Sequence, residues 1–322
     1  MEWVGAINSS QALALGISRG SRRGAVWEHP FHGVSRPVGA NQTDPEARIQ
    51  NIVPLLPRGA VFTGWAGAFL AGVKYIDGID RWGNLMPIVL ALPDGMQVRP
   101  RDGFIPSRRR LRVDEIDRDA PLPSATLARS AYDLALDAPN LTEAVVALDM
   151  CTSKVTGGAR TTLDNLRSLI SRHKKSRGIV QTRCAGELSS ERSGSPWESR
   201  TRVLAVEGAG IEEWLVNVPI FDLNERLLGV ADLLDEESGL VLESDGAGHR
   251  EERPHQADNV REEKFERAGN VVVRVAALDH SMPTQTIARI QAGRADALRA
   301  PQRWTLEQPA WWTAWPPARR WD

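Results

Sequence analysis

Two apolar segments carry acidic side chains at positions where a buried sheet rarely has them. The segments read RLLGVADLL and GLVLESD, and DEESG connects them as in a β-hairpin. Asp232 lies in the first segment, and the second holds Glu243 and Asp245, which are two residues apart and therefore share one strand face. Pairing of the segments brings the three carboxylates together, which is costly unless a cation separates them. Oxygen ligands of this kind predict Mg²⁺ or Mn²⁺.

The segments around this hairpin predict the element order α-β-β-β-α-β. SPWESRTRVLAVEGAG is typical of a helix with Ser195 at its N-cap and Pro196 in its first position. EEWLVNVPIF is predicted as a strand, DNVREEKFERAG as a helix that ends at Gly269, and NVVVRV as a β-branched strand. A further helix is predicted over residues 284–298.

Length and charge divide the chain into parts. At 322 residues it is long enough for two or three domains. Residues 1–187 hold 24 Lys and Arg against 18 Asp and Glu, whereas residues 188–322 hold 16 against 23. The positive first part favours a polyanion as partner, although two unrelated solvated surfaces would give the same asymmetry.

Membrane and secretory functions are not expected. The sequence contains no run of eighteen apolar residues and no signal-peptide pattern at its start. Two cysteines, Cys151 and Cys184, are too few for a disulfide scaffold or a cysteine-built zinc site. We therefore expect a cytoplasmic protein with reduced thiols and no membrane partner.

The first 37 residues have the pattern of a small winged-helix segment. QALAL, after Ser9 and Ser10, predicts one helix, and SRGSRRGAV predicts a second that Ser18 caps. WEHPFHGVSRP then predicts a hairpin or wing. The second helix carries the arginines expected at DNA phosphates, which are Arg19, Arg22 and Arg23. A helical cap with solvated arginines is the alternative.

Residues 46–183 are predicted to form a middle α/β domain that ends in a basic helical stretch. AVFTGWAGAFLAGV predicts a buried helix, MPIVLAL a buried strand, and SATLARSAYDLALDA and LTEAVVALDMC two helices capped by Ser124 and Asn140. From Lys154 to Arg183 there are eight basic residues and one acidic residue. The densest basic cluster is the second predicted DNA-binding group, which consists of Lys174, Lys175 and Arg177. A solvated helix face is the alternative.

SPWESR, GVADLL, LVLESDGAGH and VVVRV together resemble a nuclease-like module of actinobacterial proteins, over about residues 194–290. This module belongs to the PD-(D/E)XK superfamily and is similar to the very-short-patch-repair endonucleases. GWAGAFLAGV, YDLAL and EAVVALD resemble, less specifically, the antitoxin component of abortive-infection AbiE systems. The resemblance implies an α/β (α+β) protein with four segments: a winged-helix-like start (1–37), an AbiEi-like middle domain (46–183), a restriction-endonuclease-like domain (194–300) and a Trp/Pro-rich tail (301–322).

The resemblance implies metal-dependent hydrolysis of phosphodiester bonds in DNA. Glu198 matches the helix glutamate of the superfamily, Asp232 the strand aspartate and Glu243 the last-motif glutamate. Asp245 and His249 match an acid and a histidine of this subgroup, and Asp232, Glu243 and Asp245 would hold Mg²⁺ or Mn²⁺. The usual lysine is replaced by Asp245, so Lys264 or Arg261 would supply the positive charge.

Two functions follow from these observations. The first is a DNA endonuclease in phage defence or a toxin–antitoxin setting. The second is a non-catalytic DNA-binding antitoxin or regulator that keeps a degenerate nuclease scaffold and has a cognate toxin protein as partner. Glu198, three residues after Ser195, could instead complete a capping box. The tail, with five of the eleven tryptophans, could stack on bases or pack on its own domain.

Overall fold

The computed structural model describes residues 5–39, 41, 43–101, 103–246 and 255–312. Within this part of the chain, helices and strands are mixed, which confirms the α+β class. Contacts divide the chain into two units, Met1–Leu134 with Arg172–Ser176, and Ala135–Ser171 with Arg177–Asp322. No helix in the described ranges is both long and apolar enough to cross a membrane.

The first unit contains two small sheets and short helices. Its strands are β1 (Ile7–Asn8), β2 (Trp27–Phe31), β3 (Val34–Pro37), β4 (Val61–Thr63), β5 (Ile88–Ala91), β6 (Phe104–Ser107), β7 (Ile116–Asp117) and β8 (Ser124–Ala125). Its helices are α1 (Ser9–Ala14), α2 (Pro45–Ile52), α3 (Gly64–Leu70) and the start of α4 (Leu127–Asp137). One sheet has the order β1-β3-β2, and the other has the order β6-β5-β4-β8-β7.

The N-terminal segment forms the predicted hairpin but only one of its two predicted α-helices. Asn8, rather than Ser9, caps α1 through a hydrogen bond of 2.9 Å from Gln11 N to Asn8 Oδ1. In place of the second helix there is a single 3₁₀ turn at Ser21–Arg23, between two glycines that weaken helical structure. Strands β2 and β3 pair antiparallel and form the predicted hairpin.

The predicted buried helix from Ala60 is a strand followed by a helix. Val61–Thr63 pair with β5, because β-branched and aromatic side chains favour a strand there. Gly64 then turns the chain into α3 with φ of 60°, a conformation that favours glycine. Ser124 lies in β8 instead of capping α4; the hydroxyl of Thr126 accepts the hydrogen bond from Arg129 N.

The second unit surrounds a five-stranded sheet. Its helices are the remainder of α4, α5 (Leu141–Thr152), α6 (Leu163–Arg172), α7 (Ile179–Leu188), α8 (Pro196–Ala209), α9 (His255–Arg267) and α10 (Pro283–Ala297). Its strands are β9 (Leu215–Asp222), β10 (Leu227–Asp235), β11 (Leu240–Asp245), β12 (Val271–Ala276) and β13 (Trp304–Thr305). From α8 to β12 the order is α-β-β-β-α-β, as predicted.

The sheet has the order β12-β11-β10-β9-β13, with β11 and β12 parallel and the other neighbours antiparallel. Its two faces have separate cores. Leu233 and Leu242 pack on one face with Ile290 of α10. Leu234 and Val241 pack on the other face with Phe265 of α9. Since side chains alternate along a strand, Glu243 lies on the same face as Val241, which α9 covers.

The two units do not divide where the sequence analysis placed its domain boundary, between residues 183 and 194. Helix α5 belongs with the C-terminal sheet because its buried Asp149 binds the start of α8 and the segment before it. Asp149 accepts hydrogen bonds from Ser190 N at 2.8 Å and from the hydroxyls of Ser193 and Ser199 at 2.9 and 2.6 Å. Arg202 forms an ion pair with the same carboxylate.

The described part of the tail packs on its own unit. Trp304 is buried and pairs with Asp222 at the edge of β9. Trp311 and Trp312 contact the ring of Phe221 edge to face, at centroid distances of 5.8 and 5.4 Å. For residues 301–312 the packing alternative is therefore the correct one; residues 313–322 lie outside the described ranges.

Candidate active site

Asp232 and Glu243 lie side by side on neighbouring strands. The antiparallel register pairs Leu233 with Leu242, and Asp232 and Glu243 are the residues that adjoin this last pair. Both residues are buried, with 6% and 7% of their surface exposed. The backbone N–H of Ser244 donates a hydrogen bond of 2.9 Å to Asp232 Oδ2. The hairpin therefore holds the Asp232 carboxylate against the backbone of β11, next to Glu243.

Among the described residues, Arg261 of α9 forms an ion pair with Glu243. Its Nη2 donates to Glu243 Oε2 at 2.6 Å, and both side chains are largely buried. Gly229 of β10 makes room for the arginine, because a Cβ at this position would lie 2.8 Å from Arg261 Cγ. Lys264 is on the same helix but is exposed. Of the two basic residues considered for the missing lysine, Arg261 is the one that contacts an acid of the site.

A second basic residue, Arg274 of β12, lies next to Glu243 in the sheet. The parallel register pairs Glu243 with Arg274, and Arg274 Nη2 donates to Glu262 Oε2 of α9 at 2.6 Å. On this face Glu243 and Arg274 are neighbours, and α9 supplies one charge of each sign above them. This alternation of charge lowers the cost of burying ionised groups in a face that is otherwise apolar.

Of the two further predicted site residues, the structure describes Asp245 but not His249. Asp245 is half-buried at the end of β11, two residues beyond Glu243. Among the residues with described side chains, no three of the His, Cys, Asp and Glu types form a group that could hold a metal ion. The acids brought together are therefore a pair rather than the expected three. His249 lies outside the described residues.

Glu198 is engaged at the start of α8. Its backbone N–H donates to the hydroxyl of Ser195 at 3.3 Å, which caps the helix. Its carboxylate accepts a hydrogen bond of 2.7 Å from Gly194 N and another from the side chain of Asn217. These contacts resemble the capping alternative, although the partner of the carboxylate is Gly194 instead of the N-cap residue.

The predicted DNA-binding residues lie mostly at the surface. Arg19 and Arg23 are exposed, whereas Arg22 is partly buried and donates to the hydroxyls of Ser9 and Ser35 at 3.4 and 3.3 Å. Lys174, Lys175 and Arg177 lie in the connection between α6 and α7, with both lysines exposed and the arginine at its C-terminal end. The basic cluster is therefore a loop, and the solvated helix face proposed as its alternative is not formed at these three residues.

A buried polar cluster in the first unit was not predicted from the sequence. Arg129 forms ion pairs with Glu115 and Asp133, and Asp133 also accepts a hydrogen bond of 2.7 Å from the hydroxyl of Thr63. His173 lies 2.6 Å from the other oxygen of Glu115. Burial raises the pKa of Glu115. The hydrogen bond from His173 and the charge of Arg129 together lower this pKa by more than burial raises it, so the net shift is downward. The partners are far apart in sequence, so no local pattern indicates the cluster.

Two residues next to Glu243 and its basic neighbours were also not predicted from the sequence. Gly229, three residues before Asp232, makes room for Arg261, and Glu262 balances Arg274. The glycine within an apolar strand was the available signal, since such a residue often marks close approach of another group. The position of Glu262 had no equivalent signal in the sequence.

Comparisons of the chain with protein-family models, with curated proteins and with solved structures found no match. A functional assignment therefore depends on the residues themselves and on the chemistry that their arrangement permits.

Proposed function

We propose that the C-terminal unit hydrolyses phosphodiester bonds of DNA in a metal-dependent reaction, with Asp232 and Glu243 as its acid pair. The observation that carries this proposal is the proximity of two buried carboxylates on neighbouring strands, since Asp232 accepts a hydrogen bond from the N–H of Ser244, the residue that follows Glu243. Neither residue caps a helix, and two neighbouring carboxylates favour positive charge, which a divalent cation can supply in addition to Arg261.

The pair fits a magnesium-type cation. Mg²⁺ retains several waters and is commonly held by one or two carboxylates together with substrate phosphates, so a third protein carboxylate is not required. Asp232 and Glu243 would supply the two carboxylates, and both are hard oxygen ligands. A bound divalent cation would lower the pKa of a water molecule and stabilise negative charge on the phosphate.

The remaining residues orient and balance the pair. The Ser244 N–H fixes one oxygen of Asp232, which limits rotation of that carboxylate. Arg261 compensates the charge of Glu243, and Arg274 extends positive charge along the same face. The exposed lysines of the α6–α7 loop would contribute contacts to the DNA backbone that do not depend on base sequence.

The second candidate is a DNA-binding antitoxin or regulator without nuclease activity, acting with a cognate toxin protein. The ion pair between Arg261 and Glu243 favours it, because a permanently neutralised glutamate could be a structural element. The engagement of Glu198 at the start of α8 favours it as well. In this case the fold would serve as a scaffold and DNA binding would depend on the basic residues of the chain.

A cleavage assay separates the two candidates. The purified full chain is incubated with Mg²⁺ or Mn²⁺ and with plasmid or mismatched duplex DNA. The proposal predicts cleavage by the parent and none by Asp232→Asn or Glu243→Gln, variants that preserve shape and remove one charge. Glu207→Gln, an exposed acid of α8, is the matched control and should cut like the parent. Metal-independent DNA binding without cleavage would support the second candidate.

A further inference from the structure

We propose that Arg261 is an internal counter-ion that competes with a divalent cation for Glu243 and so sets the affinity of the acid pair for metal. This inference rests on the proposed function, because it takes Asp232 and Glu243 as the metal-binding residues. It adds a regulatory contact to that site, because the glutamate carboxylate that would bind the cation already accepts a charged hydrogen bond at Oε2.

The geometry indicates a built contact. Arg261 Nη2 lies 2.6 Å from Glu243 Oε2, and the two side chains are 13% and 9% exposed. The aliphatic part of the arginine lies against Gly229, where a Cβ would come within 2.9 Å of Arg261 Cδ and of the Phe265 ring. Holding a long side chain in this position requires glycine in the strand beneath it. The packing of Arg261 against Gly229 therefore fixes where its guanidinium lies.

The ion pairs of the neighbouring arginines leave Arg261 as the residue that a metal ion at Glu243 would affect. Arg274 lies opposite Glu243 in the register, but its guanidinium is paired with Glu262. Arg267, in the last turn of α9, pairs with Glu263 at the exposed surface. A cation that binds Glu243 would therefore share its carboxylate with the Arg261 guanidinium, and two positive charges on one carboxylate repel each other.

Competition between Arg261 and a cation for Glu243 would couple metal binding to phosphate binding. A cation held by Glu243 would weaken the hydrogen bond from the Arg261 guanidinium, while the stem of Arg261 would remain over Gly229. The guanidinium is then available to a phosphate oxygen of the substrate, which guanidinium groups bind well. Cation and phosphate are thereby expected to bind with positive coupling, since each reduces the cost of accommodating the other.

Metal affinity is the direct test. The probes are Mg²⁺ and Mn²⁺, and the readout is the metal concentration at the midpoint of the rise in melting temperature, measured against each variant's own metal-free value. Arg261→Gln removes the competing charge, so the midpoint should fall at least about fivefold. Arg261→Lys keeps the charge and should stay near the parent. Arg267→Gln removes a matched exposed ion pair of α9 and should leave the midpoint unchanged.

The outcomes separate this inference from the proposed function. If the parent cuts DNA but Arg261→Gln binds metal no more tightly than the parent, Arg261 positions Glu243 and the counter-ion inference is wrong. If Arg261→Gln binds metal more tightly through Glu243 but no form cuts DNA, the inference stands and the nuclease proposal fails. If neither form responds to millimolar metal, both are overturned. A double variant, Arg261→Gln with Glu243→Gln, must lose the response in every case that supports the inference.

Discussion

The hydroxyl of Ser199 donates a hydrogen bond of 2.6 Å to Asp149 Oδ2, which links α8 to α5 within the C-terminal unit. The same carboxylate is paired with the buried guanidinium of Arg202. Two helices that are separated by about fifty positions in the chain are thus joined through one fully buried acid. The segment before α8 is therefore part of the structure that supports the α-β-β-β-α-β unit.

Removal of this acid should destabilise the C-terminal unit severely. Asp149→Ala leaves the Arg202 charge buried without its partner, and loss of one member of a buried pair typically costs about 3–5 kcal/mol. Urea unfolding followed by far-UV circular dichroism measures the loss. Glu207→Ala, at an exposed position of α8, is the control and should change the free energy of unfolding by no more than about 0.5 kcal/mol. Equal effects of the two substitutions would contradict the role assigned to Asp149.

Glu115 should make the stability of the first unit depend on pH at the acidic end. Its pKa is lowered in the folded protein from an ordinary value of 4.5 by His173 and Arg129, despite the opposing effect of burial. A lowered folded pKa contributes stability that is complete above the unfolded pKa and is lost as the pH falls through the folded pKa. Glu115→Gln should therefore cost most at neutral pH, and its difference from the parent should shrink below about pH 4.5. Urea unfolding at pH 7, 5, 4 and 3 tests this, and a difference that grows on acidification would exclude it.

The two cysteines should differ in reactivity. Cys151 is buried, and burial raises the pKa of its thiol to about 12, so thiolate is scarce at neutral pH. Cys184 is exposed. We expect one thiol per chain to react with a disulfide reagent under native conditions and two after denaturation in guanidinium chloride. Cys184→Ser should remove the native reaction; if it does not, Cys151 is accessible and the packing of α5 is looser than described.

The basic loop should contribute a salt-dependent part of any DNA binding. Replacement of Lys174, Lys175 and Arg177 by Gln removes three positive charges, so the slope of log affinity against log salt should flatten by up to about 3 units. The matched control replaces three exposed basic residues elsewhere in the chain, namely Lys74, Arg99 and Arg183. Fluorescence anisotropy with a duplex at several salt concentrations gives both slopes. The same slope in the loop variant and the parent would remove this loop from the DNA interface.

Much of the C-terminal fold could be predicted because its signals are local. Ser195 and Pro196 define the start of α8, and the DEESG connection defines the hairpin that brings Asp232 beside Glu243. Local signals were misleading where apolar residues were continuous: residues 60–73 have no clear period, so the strand before Gly64 was not distinguished from the helix after it.

The identity of the site cation could not be predicted from the helix alone. Arg261 and Lys264 are both suitable by charge and position on α9. The choice depends on Gly229 in a different strand, which opens the space that Arg261 occupies. The same reason explains the missed cluster around Glu115, whose partners Arg129 and His173 come from distant parts of the chain. Contacts of this kind follow from tertiary packing, which a single sequence does not display.

Strand β13 also protects the sheet from other chains. Edge strands expose unpaired N–H and C=O groups that readily pair with a second molecule, which leads to domain swapping or aggregation. Here the segment at Trp304 and Thr305 occupies part of the free edge of β9, and the tryptophan ring covers the residues beneath it. The C-terminal segment thus covers backbone groups of β9 that could otherwise pair with a second molecule. A chain shortened before Trp304 would expose these groups to intermolecular β-pairing.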